Sequence, residues 1–177
     1  MKKKTLIILI LATLLVVSGV AGISAYLTAS DNAENSFVIG GCNVEVVEDF
    51  VPPPEIDPGT EFTKDVQVKN LGPSECYVRV KAVFTDSDMG DNCTVDWNTS
   101  DFEYNDEDGY YYYKDKLEVG ESTESLLTNV KVSDSISDSE IKDFDILIYT
   151  EAYQSDGFSD YEEAWLHYSR NKPVRPH

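Results

Sequence analysis

Polar and apolar positions alternate with a period of two along much of the chain, the pattern of half-buried strands. Asn43-Val-Glu-Val-Val47 begins it, and Phe50-Val51 runs into Pro52-Pro53-Pro54, where the missing N–H groups end the strand. Asp57-Pro58-Gly59 places proline and glycine where a type I or II turn wants them. Phe62, Lys64, Val66, Val68 and Asn70 then share one parity, with Val66 and Val68 as a core face, and Leu71-Gly72-Pro73 turns the chain. The cleanest alternation follows. Cys76, Val78, Val80, Ala82 and Phe84 fall on one side and Tyr77, Arg79, Lys81, Val83 and Thr85 on the other, which predicts a strand with one buried face. The acidic stretch from Asp86 to Asp106 reads as a loop. Tyr110 to Tyr113 predict a strand with two rings inward and two outward, extended by Leu117 and Val119 and broken at Gly120. Leu126, Leu127, Val130 and Val132 predict another. Phe144 to Tyr153 is apolar on both parities, which suits a central strand.

The pattern changes once. Ser159-Asp-Tyr-Glu162 has capping-box spacing, and Tyr161, Ala164, Trp165 and Tyr168 recur at helical intervals. This predicts one short C-terminal helix, followed by a frayed tail over residues 171–177 that contains Pro173 and Pro176. About seven short strands with turn signals roughly ten residues apart predict an all-β chain folded as an antiparallel β-sandwich.

The N-terminus belongs to neither pattern. Lys2, Lys3 and Lys4 precede an uncharged run from Thr5 to Ser30, strongly apolar from Leu6 to Val17 and then rich in small residues. This is the layout of an export signal. Gly22 and Ser24 at the −3 and −1 positions fit cleavage after Ser24, so residues 1–24 form the expected signal peptide and Ala25-Tyr26-Leu27 the new N-terminus. A retained anchor needs about 20 apolar residues; here glycine and serine follow the apolar core, and no basic cluster closes it. A lipoprotein needs a cysteine directly after the apolar core, and Cys42 lies beyond Asp31 and Glu34. The expected location is secreted, in the extracellular matrix or at the cell surface.

Removing residues 1–24 takes away three lysines and no acids, leaving 11 basic and 33 acidic residues and a formal net charge of −22. Such a chain has no clustered cations for nucleic acid. Three cysteines, Cys42, Cys76 and Cys93, all follow the signal. Export permits a disulfide, the odd number leaves one thiol over, and no spacing selects the pair.

The catalytic inventory is thin. The two histidines are His167 on the expected helix and His177 at the end. His-Glu-x-x-His, Gly-x-Ser-x-Gly, Walker and dinucleotide motifs are absent, so neither an enzymatic role nor a small-molecule substrate is expected. Calcium is the one ligand with a sequence case. Asp86, Asp88 and Asp91 offer oxygen ligands in a short segment, although the twelfth position counted from Asp86 is Trp97 rather than the glutamate of an EF-hand.

Several blocks, taken in order, resemble the TasA/camelysin family of exported matrix proteins of Gram-positive bacteria. They are the lysine-rich signal ending Gly22-Ile-Ser-Ala25-Tyr26-Leu-Thr28 with Asn35-Ser-Phe-Val-Ile-Gly40; Pro58-Gly59-Thr-Glu-Phe-Thr-Lys64-Asp-Val-Gln-Val-Lys-Asn70 running into Val78-Arg-Val80; Asp108-Gly109-Tyr-Tyr-Tyr-Tyr-Lys114 with Leu117 and Gly120-Glu-Ser-Thr123; and Glu151-Ala-Tyr-Gln154 through Glu163-Ala-Trp165. The resemblance implies a jelly-roll-like sandwich, processing by a SipW-type signal peptidase, and a structural role in fibres of the biofilm matrix or on spore or cell surfaces. It also implies that the N-terminal segment of one subunit adds as a strand to the next. Here residues 25–41 would be that donor segment, with Tyr26, Leu27, Phe37, Val38 and Ile39 as its apolar positions, and residues 42–170 the sandwich. The partners implied are further copies of the chain, the signal peptidase, and other matrix proteins or the cell wall. Camelysin-like members have been called metalloproteases, but this chain lacks the motif for that chemistry. The alternative reading is a monomeric cell-surface or adhesion module stabilised by calcium.

Overall fold

The computed structural model describes residues 36–38 and 41–171. In chain order these form β1 (Ser36–Val38), β2 (Val44–Phe50), β3 (Glu61–Asn70), β4 (Cys76–Phe84), α1 (Ser87–Asp91), β5 (Cys93–Trp97), β6 (Phe102–Asn105), β7 (Tyr110–Tyr113), β8 (Leu127–Val132), β9 (Ile146–Gln154) and α2 (Tyr161–Asn171). One sheet has the order β1-β9-β4-β7-β6 and the other β2-β3-β8-β5. The pairings are antiparallel except that of β1 with β9. From β3 onward the chain repeatedly crosses between the sheets. The interlocked threes β3-β8-β5 and β9-β4-β7 make the fold an all-β, jelly-roll-like sandwich with one short C-terminal helix.

The alternating residues form the core between the sheets. Val66 and Val68 from β3 and Leu127 and Val130 from β8 face Val78 and Val80 from β4 and Ile146 and Ile148 from β9. Burying each such side chain contributes about 1.5–3 kcal/mol. Asp57-Pro58-Gly59-Thr60 is a type II turn. Thr60 N donates to Asp57 O at 3.0 Å, and Gly59 supplies the positive φ of 81° required at its third position. Lys64 shares the inward parity of β3 but carries its ammonium past the Phe50 ring to Glu48 Oε2 at 2.5 Å.

The fold departs from the sequence expectations in five places. First, β4 is not half-buried: Tyr77 and Arg79, on its supposedly solvent-facing side, are 1% and 7% exposed. Helix α2 lies over that side, bringing Ala164, Trp165 and Tyr168 onto Tyr77 and Tyr112. Second, residues 86–106 are not one loop but hold α1, β5 and β6. Third, β7 stops at Tyr113; Leu117 is buried through a single bridge to Cys76, and Val119 is exposed. Fourth, β9 is not central, because it lies next to the sheet edge with only β1 outside it. Fifth, the helix cap sits one residue later than the capping box predicts. Asp160 Oδ1 accepts from Glu163 N at 2.9 Å, and Glu163 Oε2 reaches back to Ser159 N at 3.0 Å. The expected frayed tail beyond Asn171 lies outside the described residues. The expected split of the tyrosines is present: Tyr111 and Tyr113 pack into the inter-sheet core, and Tyr110 and Tyr112 pack under α2.

Candidate functional site: the outer edge of strand β9

Strand β9 is paired unequally on its two sides. All nine residues are in register with β4, from Phe84↔Ile146 to Cys76↔Gln154. On the other side, among the described residues, β1 pairs in parallel at Ser36↔Thr150, Phe37↔Glu151 and Val38↔Ala152. Among the described residues, Ile146 to Tyr149 and Tyr153–Gln154 have no strand partner on that outer side. A strand edge of this kind is a template for another extended segment.

The strand behind this edge is held rigidly. Glu151 points to the α2 side, where its Oε2 accepts from Arg79 Nε at 3.0 Å and from Arg79 Nη2 at 2.5 Å. Arg79 Nη1 also donates to Asp108 Oδ2 at 3.0 Å and to Tyr112 Oη at 2.7 Å. The guanidinium carbon lies 4.2 Å from the Tyr110 ring centre and 4.4 Å from that of Trp165, so the cation is enclosed by aromatic faces from β7 and α2. Burial pulls the guanidinium's pKa down, but the hydrogen bonds and charge of Glu151, with Tyr112, hold it above its ordinary value. Tyr112 is pushed up to about 12, chiefly by burial and then by its hydrogen bond to Asp108. Tyr153 extends the same packing along β9, with ring centres 5.8 Å from Phe158 and 5.4 Å from Tyr168. Its hydroxyl is 3.0 Å from His167 Nδ1. The edge is therefore already shaped for a partner strand, with little ordering cost left on its own side.

The chain segment that leads to this edge is pinned at its base. Leu71 N donates to Asn43 O at 2.8 Å, Val44 opens the register of β2 with Asn70, and Cys42 is buried. Gly72 allows this approach: a Cβ there would stand 2.9 Å from Asn43 N.

Of the sequence-derived site residues, Phe37 and Val38 lie in β1 on the chain's own β9. Gly22, Ser24 and Ala25 of the cleavage motif, and Tyr26, Leu27 and Ile39 of the donor segment, lie outside the described residues. The three acidic residues proposed for calcium surround α1. Asp86 caps it, with Oδ1 accepting from Met89 N at 3.0 Å. Lys142 Nζ bridges Asp86 Oδ2 at 3.2 Å and Asp88 Oδ2 at 2.6 Å, and Asp91 is exposed. The Met89 N–H, then Lys142, hold the Asp86 carboxyl below its usual range. Among the described residues no group of three or more His, Cys, Asp or Glu is placed to hold a metal ion. Cys42 and Cys76 are buried members of one core cluster; Cys93, on β5, is only partly buried and packs against that cluster and against the Met89, Val132 and Ile136 group. Two surface depressions, one around Trp97 and Glu124 and one around Glu75 and Lys116, contain neither histidine nor cysteine.

The Arg79 enclosure went unread in the sequence, although its signals were there. Two outward tyrosines in β7 need a cover, and the Tyr161/Trp165/Tyr168 stripe needs a surface. Arg79 shares the outward parity of Tyr77, between the two. Compared with known proteins, the chain matches no family model, no curated protein and no solved structure.

Proposed function

We propose that the protein is a secreted structural subunit of an extracellular matrix, without enzymatic activity, that assembles into fibres when the segment preceding Cys42 adds as a strand to the β9 edge of a neighbouring copy. The observation that supports this reading is the imbalance at β9 among the described residues: nine paired inside, three paired outside, and the outer three paired in parallel by the N-terminal segment itself. Such a segment would gain backbone hydrogen bonds by lying along a longer stretch of an identical edge on another copy. The export signal and the likeness to TasA/camelysin sequences support the same reading, since cleavage by a signal peptidase would free the segment only outside the cell. Homopolymer contacts are then the principal interaction, and the net negative charge makes their formation salt-dependent.

The test compares the chain beginning at Ala25 with one beginning at Cys42, each incubated over a range of salt concentrations and viewed by electron microscopy. Fibres from the first and monomers from the second are expected. Equal assembly of both removes the donor strand from the mechanism. A calcium-dependent rise in melting temperature with no polymerisation favours the monomeric surface module instead.

A further inference from the structure

The structure selects a cysteine pair that the sequence leaves open. Cys42 and Cys76 are 1% and 0% exposed and belong to the same buried cluster. The surrounding backbone locks both in place. Asn43 O accepts from Leu71 N, and Val44 is in register with Asn70. Asn70 Nδ2 donates to Leu117 O at 3.0 Å, and this same carbonyl lies 4.0 Å from Cys76 Sγ and accepts from Cys76 N at 3.1 Å. Asn70 thus joins the start of β2, which Cys42 directly precedes, to the start of β4, which Cys76 occupies. Cys93 is a different case: it sits on β5 opposite Val132, and burial alone pushes its thiol up.

We propose that Cys42 and Cys76 form an intramolecular disulfide, made by exchange with a small-molecule or protein disulfide during folding, and that Cys93 stays a thiol. The first step is attack by one cysteine thiolate on a sulfur of the donor disulfide, which expels one donor thiolate and leaves a mixed disulfide. The second cysteine thiolate then attacks the protein sulfur of that mixed disulfide and expels the other donor thiolate. One donor disulfide is reduced to two thiols, which take up the two protons, and two protein thiols are oxidised to one disulfide. In the folded chain the proximity of Cys76 lowers the Cys42 pKa against the effect of burial. The proximity of Cys42, with burial added, raises that of Cys76. Because both sulfurs are buried in the folded chain, the exchange belongs to the folding phase, and the finished bond is shielded from reductants.

The bridge would tie the residue at which the N-terminal segment leaves the sandwich to the first residue of β4, whose register partner on β9 is Gln154. Only residues before Cys42 could then move between copies. That consequence rests on the proposed assembly; the bridge itself does not.

The full chain is unfolded in guanidinium chloride, refolded in reduced and oxidised glutathione, and its thiols are titrated under denaturing conditions. One thiol per chain is expected. Trypsin digestion should join the peptide Asn70–Arg79, which holds Cys76, to the one holding Cys42, and leave the peptide with Cys93 unlinked. The oxidised form should melt roughly 10 °C above the reduced form, as expected for closing a loop of this length in a chain of this size. Cys93→Ser keeps the proposal falsifiable if removing either core cysteine prevents folding: the variant should show no free thiol and run as a monomer on a non-reducing gel. Three thiols after oxidising refolding, a bridge to Cys93, or a disulfide-linked dimer would overturn the assignment. None of these readouts depends on fibre formation, so either idea can fail alone.

Discussion

Replacing Arg79 with methionine tests the link between α2 and the sandwich. Methionine keeps the length and apolar stem but removes the charge. Glu151, only 8% exposed, would lose both of its charge-assisted hydrogen bonds and remain as a buried, uncompensated carboxylate. Breaking one side of such a pair costs about 3–5 kcal/mol. The rings of Tyr110 and Trp165 lose a cation at 4.2 and 4.4 Å, worth about 0.5–2 kcal/mol for each desolvated contact. Asp108 is partly exposed and is left to water, so it adds little. A total loss of about 4–9 kcal/mol is expected on these values. Urea unfolding followed by tryptophan fluorescence measures it, since Trp165 lies in the enclosure and Trp97 stacks on Tyr111 between the sheets. The double variant R79M/E151L removes the orphaned charge and should recover most of the loss. A single-variant cost below about 1 kcal/mol, the range of an exposed ion pair, would refute the reasoning. So would a double variant less stable than the single one.

Three further outcomes follow from other parts of the structure. Tyr111 and Tyr112 are each pushed up to about 12, chiefly by burial. Their stabilising contribution is therefore complete below the unfolded value near 10 and lost as pH rises toward 12. Thermal melts should fall across that window, and Tyr111→Phe should flatten the fall while leaving the melt at pH 7 nearly unchanged. Gly72→Ala places a methyl carbon 2.9 Å from Asn43 N and 3.1 Å from Asn70 Oδ1; chemical denaturation should show a loss of about 1–3 kcal/mol, and an unchanged midpoint would mean that this approach is not tight. Asp160→Ala removes the α2 cap and should cost about 1 kcal/mol in the same assay, with the largest rise in amide exchange in the first turn of the helix.

The sandwich was legible because its strands carry their information locally. The parity of Phe62 to Asn70, and of Cys76 to Phe84, marks an inward face without any knowledge of what lies opposite. Both inward sets are in the core. What could not be read was whatever depended on a third layer. Tyr77 and Arg79 look like the wet side of β4 until α2 is placed over them, and α2 is about 80 residues further along the chain. The stretch from Asp86 to Asp106 was read as a loop because its acids mask short alternations. Phe102 is nevertheless fully buried, and it starts a strand in register with the tyrosines. Asp86, Asp88 and Asp91 suggest a ligand set by composition, yet the first caps a helix and Lys142 bridges the first two.

The position of β1 bears directly on how such a chain could join others. A jelly roll closes its sheets with antiparallel neighbours, and a nine-residue strand such as β9 has room for a partner of similar length. Among the described residues its outer side instead pairs with Ser36–Val38, running parallel. Parallel pairing is slightly less stable per residue than antiparallel pairing, and a strand this short forms few hydrogen bonds. Exchange of this segment would thus cost little, because each subunit gives up a short parallel contact and regains at least its equivalent on a neighbour. Alternation along the chain accounts for the stability of the sandwich. In the proposed assembly, whether copies of it connect would turn on the segment before Cys42 and the outer edge of β9.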